Sequence, residues 1–332
     1  DKKGRSSVLF GSILLYSLAN IANGFVQTVE QYKIIRFIAG IGLAGELGAG
    51  VTLVAESLPK EKRGIGTSLV AGFGLTGAIF AFIMKQNFDW RTCYFIGGGL
   101  GLILLFLRVS VLESGMFHEM KEKKVKKGNL LMFVNDRGRF KKYIQSILIG
   151  LPTWYVIGIL ITFSNAFGIP EEIDPSKAIM FGYVGLATGD ITIGFVSHWL
   201  KSRKKALYIF YGLTALFITL FFTIQWNGSP TVMYLLCTAL GFSIGFWAIF
   251  VTIGAEQFGT NLRATAATTI PNMVRGMLSL IIIPLFTMLR EIKGVGYVNG
   301  AIYTGIIIFG ISLLAVIYSK ETYHKDLNYE EM

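Results

Sequence analysis

Glu56-Ser57-Leu58-Pro59-Lys60-Glu61-Lys62-Arg63-Gly64 ends one long apolar stretch and opens the next. A related segment, Glu256-Gln257-Phe258-Gly259-Thr260-Asn261-Leu262-Arg263-Ala264, does the same at an offset of 200 residues, with Glu and Arg again seven apart. A basic loop recurs as well. Lys2-Lys3-Gly4-Arg5 precedes one apolar stretch, and Lys201-Ser202-Arg203-Lys204-Lys205 precedes another. A period this long, carried by loops between apolar stretches, describes a chain built from two related halves.

The stretches themselves fix the solvent. Of the 332 residues 53% are hydrophobic and only 15% charged, against about 25% charged in a typical soluble domain. Ten apolar runs lie near 7–26, 34–56, 65–84, 92–112, 143–167, 175–198, 206–224, 231–255, 264–289 and 297–319. Each is close to the roughly 20 residues that carry a helix across a bilayer core. None shows the short alternating pattern of a membrane barrel. The expected fold is therefore an all-α integral membrane bundle, whose first partner is the lipid bilayer.

The net charge of +11 reads as basic loops on one side of the membrane, not as a nucleic-acid surface. With the N-terminal Asp1–Arg5 segment inside, most of the 31 Lys and Arg fall at inner ends, as the positive-inside rule requires. Both termini are then cytoplasmic. The long polar connection contains Lys121-Glu122-Lys123-Lys124-Val125-Lys126-Lys127 and divides four spans from six. The expected organisation is a truncated N-terminal half over 1–112, a linker over 113–142, a six-helix half over 143–319 and a tail over 320–332. The repeat then predicts that two N-terminal spans are missing.

Several short patterns carry a family resemblance. Asp1-Lys2-Lys3-Gly4-Arg5 resembles the end of the D-[RK]-x-G-[RK] loop signature of the major facilitator superfamily. Arg36-Phe37-Ile38-Ala39-Gly40-Ile41-Gly42 resembles that family's R-x-x-x-G-x-G motif. Glu56, Pro59, Arg63 and Gly64 resemble the loop after it. Gly194 through Lys204, with Lys201 and Arg203, is similar to a degraded second copy of the loop signature, in which His198 stands near the acidic position. The resemblance covers the whole chain as helices three to twelve of twelve, and Gly42-Leu43-Ala44-Gly45-Glu46 is similar to the metabolite–proton symporter and sugar-porter branches. It implies two pseudo-symmetric halves that rock about a central site. Gating contacts are implied at Asp1, Gly4, Arg5, Glu56, Arg63, Gly194, Lys201, Arg203, Glu256 and Arg263. It also implies proton coupling, and a bacterial inner membrane as the setting.

Charges inside spans are costly, so they face a cavity or pair with one another. Four stand out: Arg36, Glu46, Asp190 and Arg275. Thr268, Asn272, Arg275 and Ser279 follow helical spacing and form a polar stripe. A guanidinium there suits an anionic substrate; the alternative is a structural ion pair with Asp190. Asp190 lies on a face with Tyr183, Ala187, Gly194 and Ser197 and is either a proton carrier or a packing carboxylate. Glu46, midway along its span, is the better proton site, with packing as its alternative. Arg36 either snorkels or supports proton transfer as the match to the family's arginine. Tyr155, Gly158, Thr162 and Asn165, with Trp154 beside them, line one helix face and suit either a solute site or interhelix hydrogen bonds.

Other readings fall away. Gly40-Ile41-Gly42-Leu43-Ala44-Gly45 fits G-x-G-x-x-G, but a dinucleotide loop follows a strand, and this one lies within an apolar run. His118, His198 and His324 stand far apart, and Cys93 and Cys237 show no metal or redox spacing. No enzyme chemistry, metal or cofactor is expected, nor a nucleic-acid partner. The expected function is secondary active transport of a small polar metabolite, weakly favouring an organic anion, by a monomer. A non-transporting solute sensor on the same scaffold is the second reading.

Overall fold

The computed structural model describes residues 5–59, 61–107, 130–167, 171–224, 229–326 and 329–331. Asp1, Gly4, Lys60 and the Lys121–Lys127 run lie outside the described residues, as do the side chain of Arg5 and most of the expected linker.

Among the described residues nine helical segments are long and apolar enough to cross a membrane. In order they are α2 (Val29–Ser57), α3 with α4 (Arg63–Leu75, Gly77–Asn87), α5 (Trp90–Leu107), and α7 (Arg137–Tyr155) continued by a π-helix. Then come α8 (Pro175–Trp199), α9 (Arg203–Ile224), α10 with α11 (Pro230–Ser243, Trp247–Glu256), and α12 (Arg263–Met277) continued through a π-helix into α13 (Ile283–Glu291). The last is α14 (Gly296–Tyr318). The tenth expected span is α1 (Arg5–Asn23), whose apolar part is shorter. A four-residue α6 (Leu131–Val134) precedes α7. The chain is an all-α integral membrane protein.

Local sequence sets the boundaries. Thr28 caps α2 in a reciprocal box: its hydroxyl accepts from Gln31 N–H at 3.2 Å, and Gln31 Oε1 accepts from Thr28 N–H at 3.3 Å. Asp136 caps α7, and Asp174 caps α8 with Pro175 at its first position, where a missing N–H costs nothing. At about 1.5 Å per residue, the 29 residues of α2 outrun a hydrocarbon core.

Small residues let helices touch. A Cβ on Gly185 or Gly189 of α8 would meet the backbone of α10 at Thr238 or Phe242, and one on Gly241 would meet Gly182. Such contacts replace the hydrophobic drive that lipid cannot supply. Between the first five helices and the rest, the close contacts gather toward the end that bears Glu56, Arg203 and the C-terminal tail, called here the tail end. There Gly48 of α2 abuts Thr268 of α12, Gly72 of α3 meets Ala187 and Ile191 of α8, and Gly194 meets Ser68. Thr67 and Thr252 hydroxyls bond across this seam at 2.7 Å.

Candidate functional site

Two buried ion pairs seal the tail end. Arg263 Nη1 lies 2.9 Å from Glu56 Oε1, both side chains wholly buried, and joins α12 to the end of α2. Arg203 Nη2 lies 3.2 Å from Glu256 Oε1, and its Nη1 donates to Ser197 Oγ at 3.0 Å. Gly64 leaves room for that guanidinium, because a Cβ there would overlap it. The two glutamates of the internal repeat are thus used differently: Glu56 bonds across the seam, Glu256 within the second group of helices. Gly194 sits on the seam, and Lys201 adopts the left-handed backbone (φ 49°) that turns the chain from α8 to α9. Arg63 is buried and donates to the Lys325 carbonyl at 3.2 Å.

The C-terminal tail docks over these pairs. Glu321 accepts from Ser202 Oγ and from the N–H groups of Arg203 and Lys204 at 3.0 and 3.1 Å. Burial pushes the Glu321 carboxyl up, but the Ser202 hydroxyl and these N–H groups outweigh it and hold it below its ordinary value. The Thr260 N–H donates to the Tyr329 carbonyl at 2.8 Å, and Asn261 exchanges bonds of 2.9 Å with Glu331. His198, at the place of an acidic family residue, bonds the Glu61 carbonyl through Nδ1 at 2.9 Å.

In mid-span, the Arg275 side chain is exposed although protein atoms crowd around it. Its guanidinium lies 5.6 Å from the Trp247 ring centre, within cation–π range. Trp154 meets Trp247 edge-on at 6.1 Å, and the half-buried Tyr183 lies near Arg275. The result is one guanidinium beside a wall of indole and phenol rings. Trp247 carries no motif signal, and its relation to Arg275 comes from tertiary packing alone.

The Arg275–Asp190 pair does not form. Asp190 is fully buried, and its Oδ1 accepts from Ala248 N–H at 2.9 Å. It caps α11, where the α10–α11 span breaks around Gly245, pressed against the Gly189 backbone. A broken helix exposes N–H groups that need acceptors, and Asp190 supplies one. Its Oδ2 has no hydrogen-bond partner.

The expected Tyr155–Gly158–Thr162–Asn165 face is also corrected. Val156–Ile161 is a π-helix, in which Thr162 N–H reaches the carbonyl five residues back, Ile157, at 3.1 Å. The wider turn breaks the 3.6-residue spacing. Tyr155 is buried with its hydroxyl on the Ala301 carbonyl at 2.8 Å, the Thr162 hydroxyl returns to Ile157 at 2.6 Å, and Asn165 is exposed in a 3-10 turn.

The Thr268–Ser279 stripe is split in the same way. Leu278–Ile282 is a second π-helix, and Leu278 packs against the place where a Gly158 side chain would be. Asn272 donates to the Ala44 carbonyl at 2.9 Å and to that of Thr268 at 2.7 Å, so it serves the α2–α12 contact. Glu46 is half-buried in α2, between Gly45, which packs on Ser12 of α1, and Gly48, which packs on Thr268. Arg36 is exposed, 6.0 Å from the Tyr94 ring.

The model of the Major Facilitator Superfamily matches residues 1–284. The niacin transporter NiaP of Acinetobacter baylyi is 24% identical over an alignment of 366 positions, gaps included, covering 98% of this chain and 81% of that protein. The sialic acid transporter NanX of Escherichia coli is 26% identical over 279, covering 82% and 68%. The crystal structure of the major facilitator transporter FucP in its outward conformation superposes with a TM-score of 0.73 at 14% identity, covering 95% of this chain and 83% of that one.

Proposed function

The chain belongs to the major facilitator superfamily, whose members matched here are membrane transporters and not catalysts, and we propose that it carries a small organic carboxylate by alternating access. The observation that carries this reading is Arg275, exposed in mid-span with its guanidinium 5.6 Å from the Trp247 ring centre. A guanidinium grips a carboxylate through two parallel hydrogen bonds. Trp154 and Tyr183, both half-buried, offer flat apolar surface to a ring or hydrocarbon skeleton, with the buried Trp247 packed against Trp154. Niacin and sialic acid, named for the two relatives, are both carboxylic acids. The reading requires that a carboxylate outcompete its own amide for uptake.

In this reading the buried pairs at the tail end are the closed cytoplasmic gate, and 1–112 and 143–319 are the two rocking halves. Basic loops at that end support a cytoplasmic assignment, in a bacterial inner membrane. Single cysteines at Asn135 and Glu171, both exposed, in a protein with Cys93 and Cys237 replaced, should then label from opposite sides. Labelling from one side alone would reject this topology.

Proton coupling is assigned to Glu46, with Arg36 and Asp190 as supporting groups. Glu46 is half-buried in mid-span on a helix of the seam, where a change of charge is felt by both halves. Glu46→Gln mimics the protonated acid and cannot release a proton. It should abolish gradient-driven uptake while sparing substrate exchange. Uptake with unchanged pH dependence would assign Glu46 to packing.

A further inference from the structure

Beneath the tail end, apart from the central site, lies a cavity of about 190 Å³ lined by Lys142, Gln257, Lys320, Glu321, Thr322 and Lys325. Three of its six lining side chains are lysines, brought together from the start of α7 and from the tail.

Their charge is poorly answered within the chain. Glu321 lines the cavity, but its carboxylate already accepts from Ser202, Arg203 and Lys204, and from the N–H groups of Thr322 and Tyr323. Glu331 reaches Lys142 only at 4.0 Å, beyond hydrogen-bond range. Lys325 donates to the Gln257 carbonyl at 3.3 Å and the Tyr329 hydroxyl at 2.8 Å. An ammonium has three N–H groups, so one remains. Burial, and then the charge of Lys142, pull the Lys325 ammonium down to about 8 against the opposing charges of Glu331 and Glu256. Thr322 is 2% exposed, and its hydroxyl has no hydrogen-bond partner. Leaving such a group unmet is costly.

We propose that this cavity is a second anion site, which takes a phosphate-type oxyanion between Lys142, Lys320, Lys325 and the Thr322 hydroxyl. Lysines act as point charges and lack the planar fork that selects a carboxylate, so several of them around one space suit a tetrahedral group with oxygens on all sides. The bound anion ties the tail to α7, near the tail backbone that bonds Thr260 and Asn261. Either a free phosphate or the headgroup of an anionic lipid offers this chemistry.

The test uses the protein in neutral detergent. Inorganic phosphate is titrated while thermal unfolding is followed, since a ligand that binds the folded state raises the melting temperature. In a parallel arm short-chain phosphatidylglycerol is titrated, with diacylglycerol, which lacks the phosphate, as control. Stabilisation by phosphate identifies a soluble anion, and stabilisation by phosphatidylglycerol alone identifies a lipid headgroup. In either case Lys325→Gln should weaken the effect at least about tenfold, an energy near 1.4 kcal/mol. Thr322→Val keeps the shape and removes the unmet hydroxyl. It should weaken binding severalfold, yet melt without anion no lower than the parent. No stabilisation by either probe, or stabilisation untouched by both substitutions, overturns the site. So does a Thr322→Val protein that melts well below the parent, because the hydroxyl would then have had a partner.

Discussion

Arg275→Lys is expected to express and fold normally and to lose at least about tenfold in apparent substrate affinity, on the order of 1.4 kcal/mol. The substitution keeps a point charge in mid-span but removes the two-pronged grip and the stacking of a planar cation on Trp247. An arginine at mid-membrane costs about 3 kcal/mol even on the lenient insertion scale. No ion pair to Arg275 is found among the described residues, and Asp190 is committed to Ala248. The Trp247 ring offsets part of that cost in the empty state, and in this account the substrate carboxylate does so when bound. Arg275→Ala should therefore lose transport without a folding defect that Asp190→Ala repairs. Normal affinity in the lysine variant would remove Arg275 from the site and with it the preference for an anion. Recovery of expression in the double alanine variant would restore the structural-pair reading.

Arg263→Ala should open the tail end. The Glu56–Arg263 pair is wholly buried, and removing one partner of a buried pair costs about 3–5 kcal/mol, because the other charge is left uncompensated. The cost falls on the closed state alone, where Glu56 is out of water. Thr252, buried at the seam against Thr67, reports the change. A cysteine at Thr252 should react with an impermeant thiol reagent from the tail side at least about tenfold faster in the Arg263→Ala background. Glu56→Gln combined with Arg263→Met should recover much of the closure, since replacing both partners of a buried pair is often neutral. Unchanged reactivity would show that the pair does not hold this end shut.

The ten apolar helices and the repeat were legible because their signal is local: a run of apolar residues, and loops whose composition recurs. The expectation of ten membrane helices needed nothing more, and the major-facilitator expectation rested on the resemblance of the loop motifs; nine helical segments are long and apolar enough among the described residues, and α1 is shorter. The site was legible only in part. Arg275, Asp190 and Glu56 could be singled out, because a charge within or beside an apolar run is rare. Their partners could not, since Trp247, Ala248 and Arg263 are set by how distant helices pack. Asp190 shows the limit well. Its helical neighbours suggested a face, but what it serves is a helix break nearly sixty residues away. One face failed because the π-helix at Val156–Ile161 changes the residues per turn; in the other, the π-helix at Leu278–Ile282 reaches only Ser279, and Asn272 is taken up by the Ala44 carbonyl. The tail, a short charged end by composition, gave no sign that its backbone would pair with Thr260 and Asn261.

The central claim is that a carboxylate is held at Arg275 beside aromatic walls. Counterflow exchange in proteoliposomes tests it most directly, with benzoate and benzamide as a matched pair that shares the ring and differs in charge. Benzoate should compete for exchange at least about tenfold more strongly than benzamide, the equivalent of 1.4 kcal/mol, and that advantage should vanish in Arg275→Gln. Equal competition by the amide, or a preference for benzoate that survives Arg275→Gln, would contradict the account.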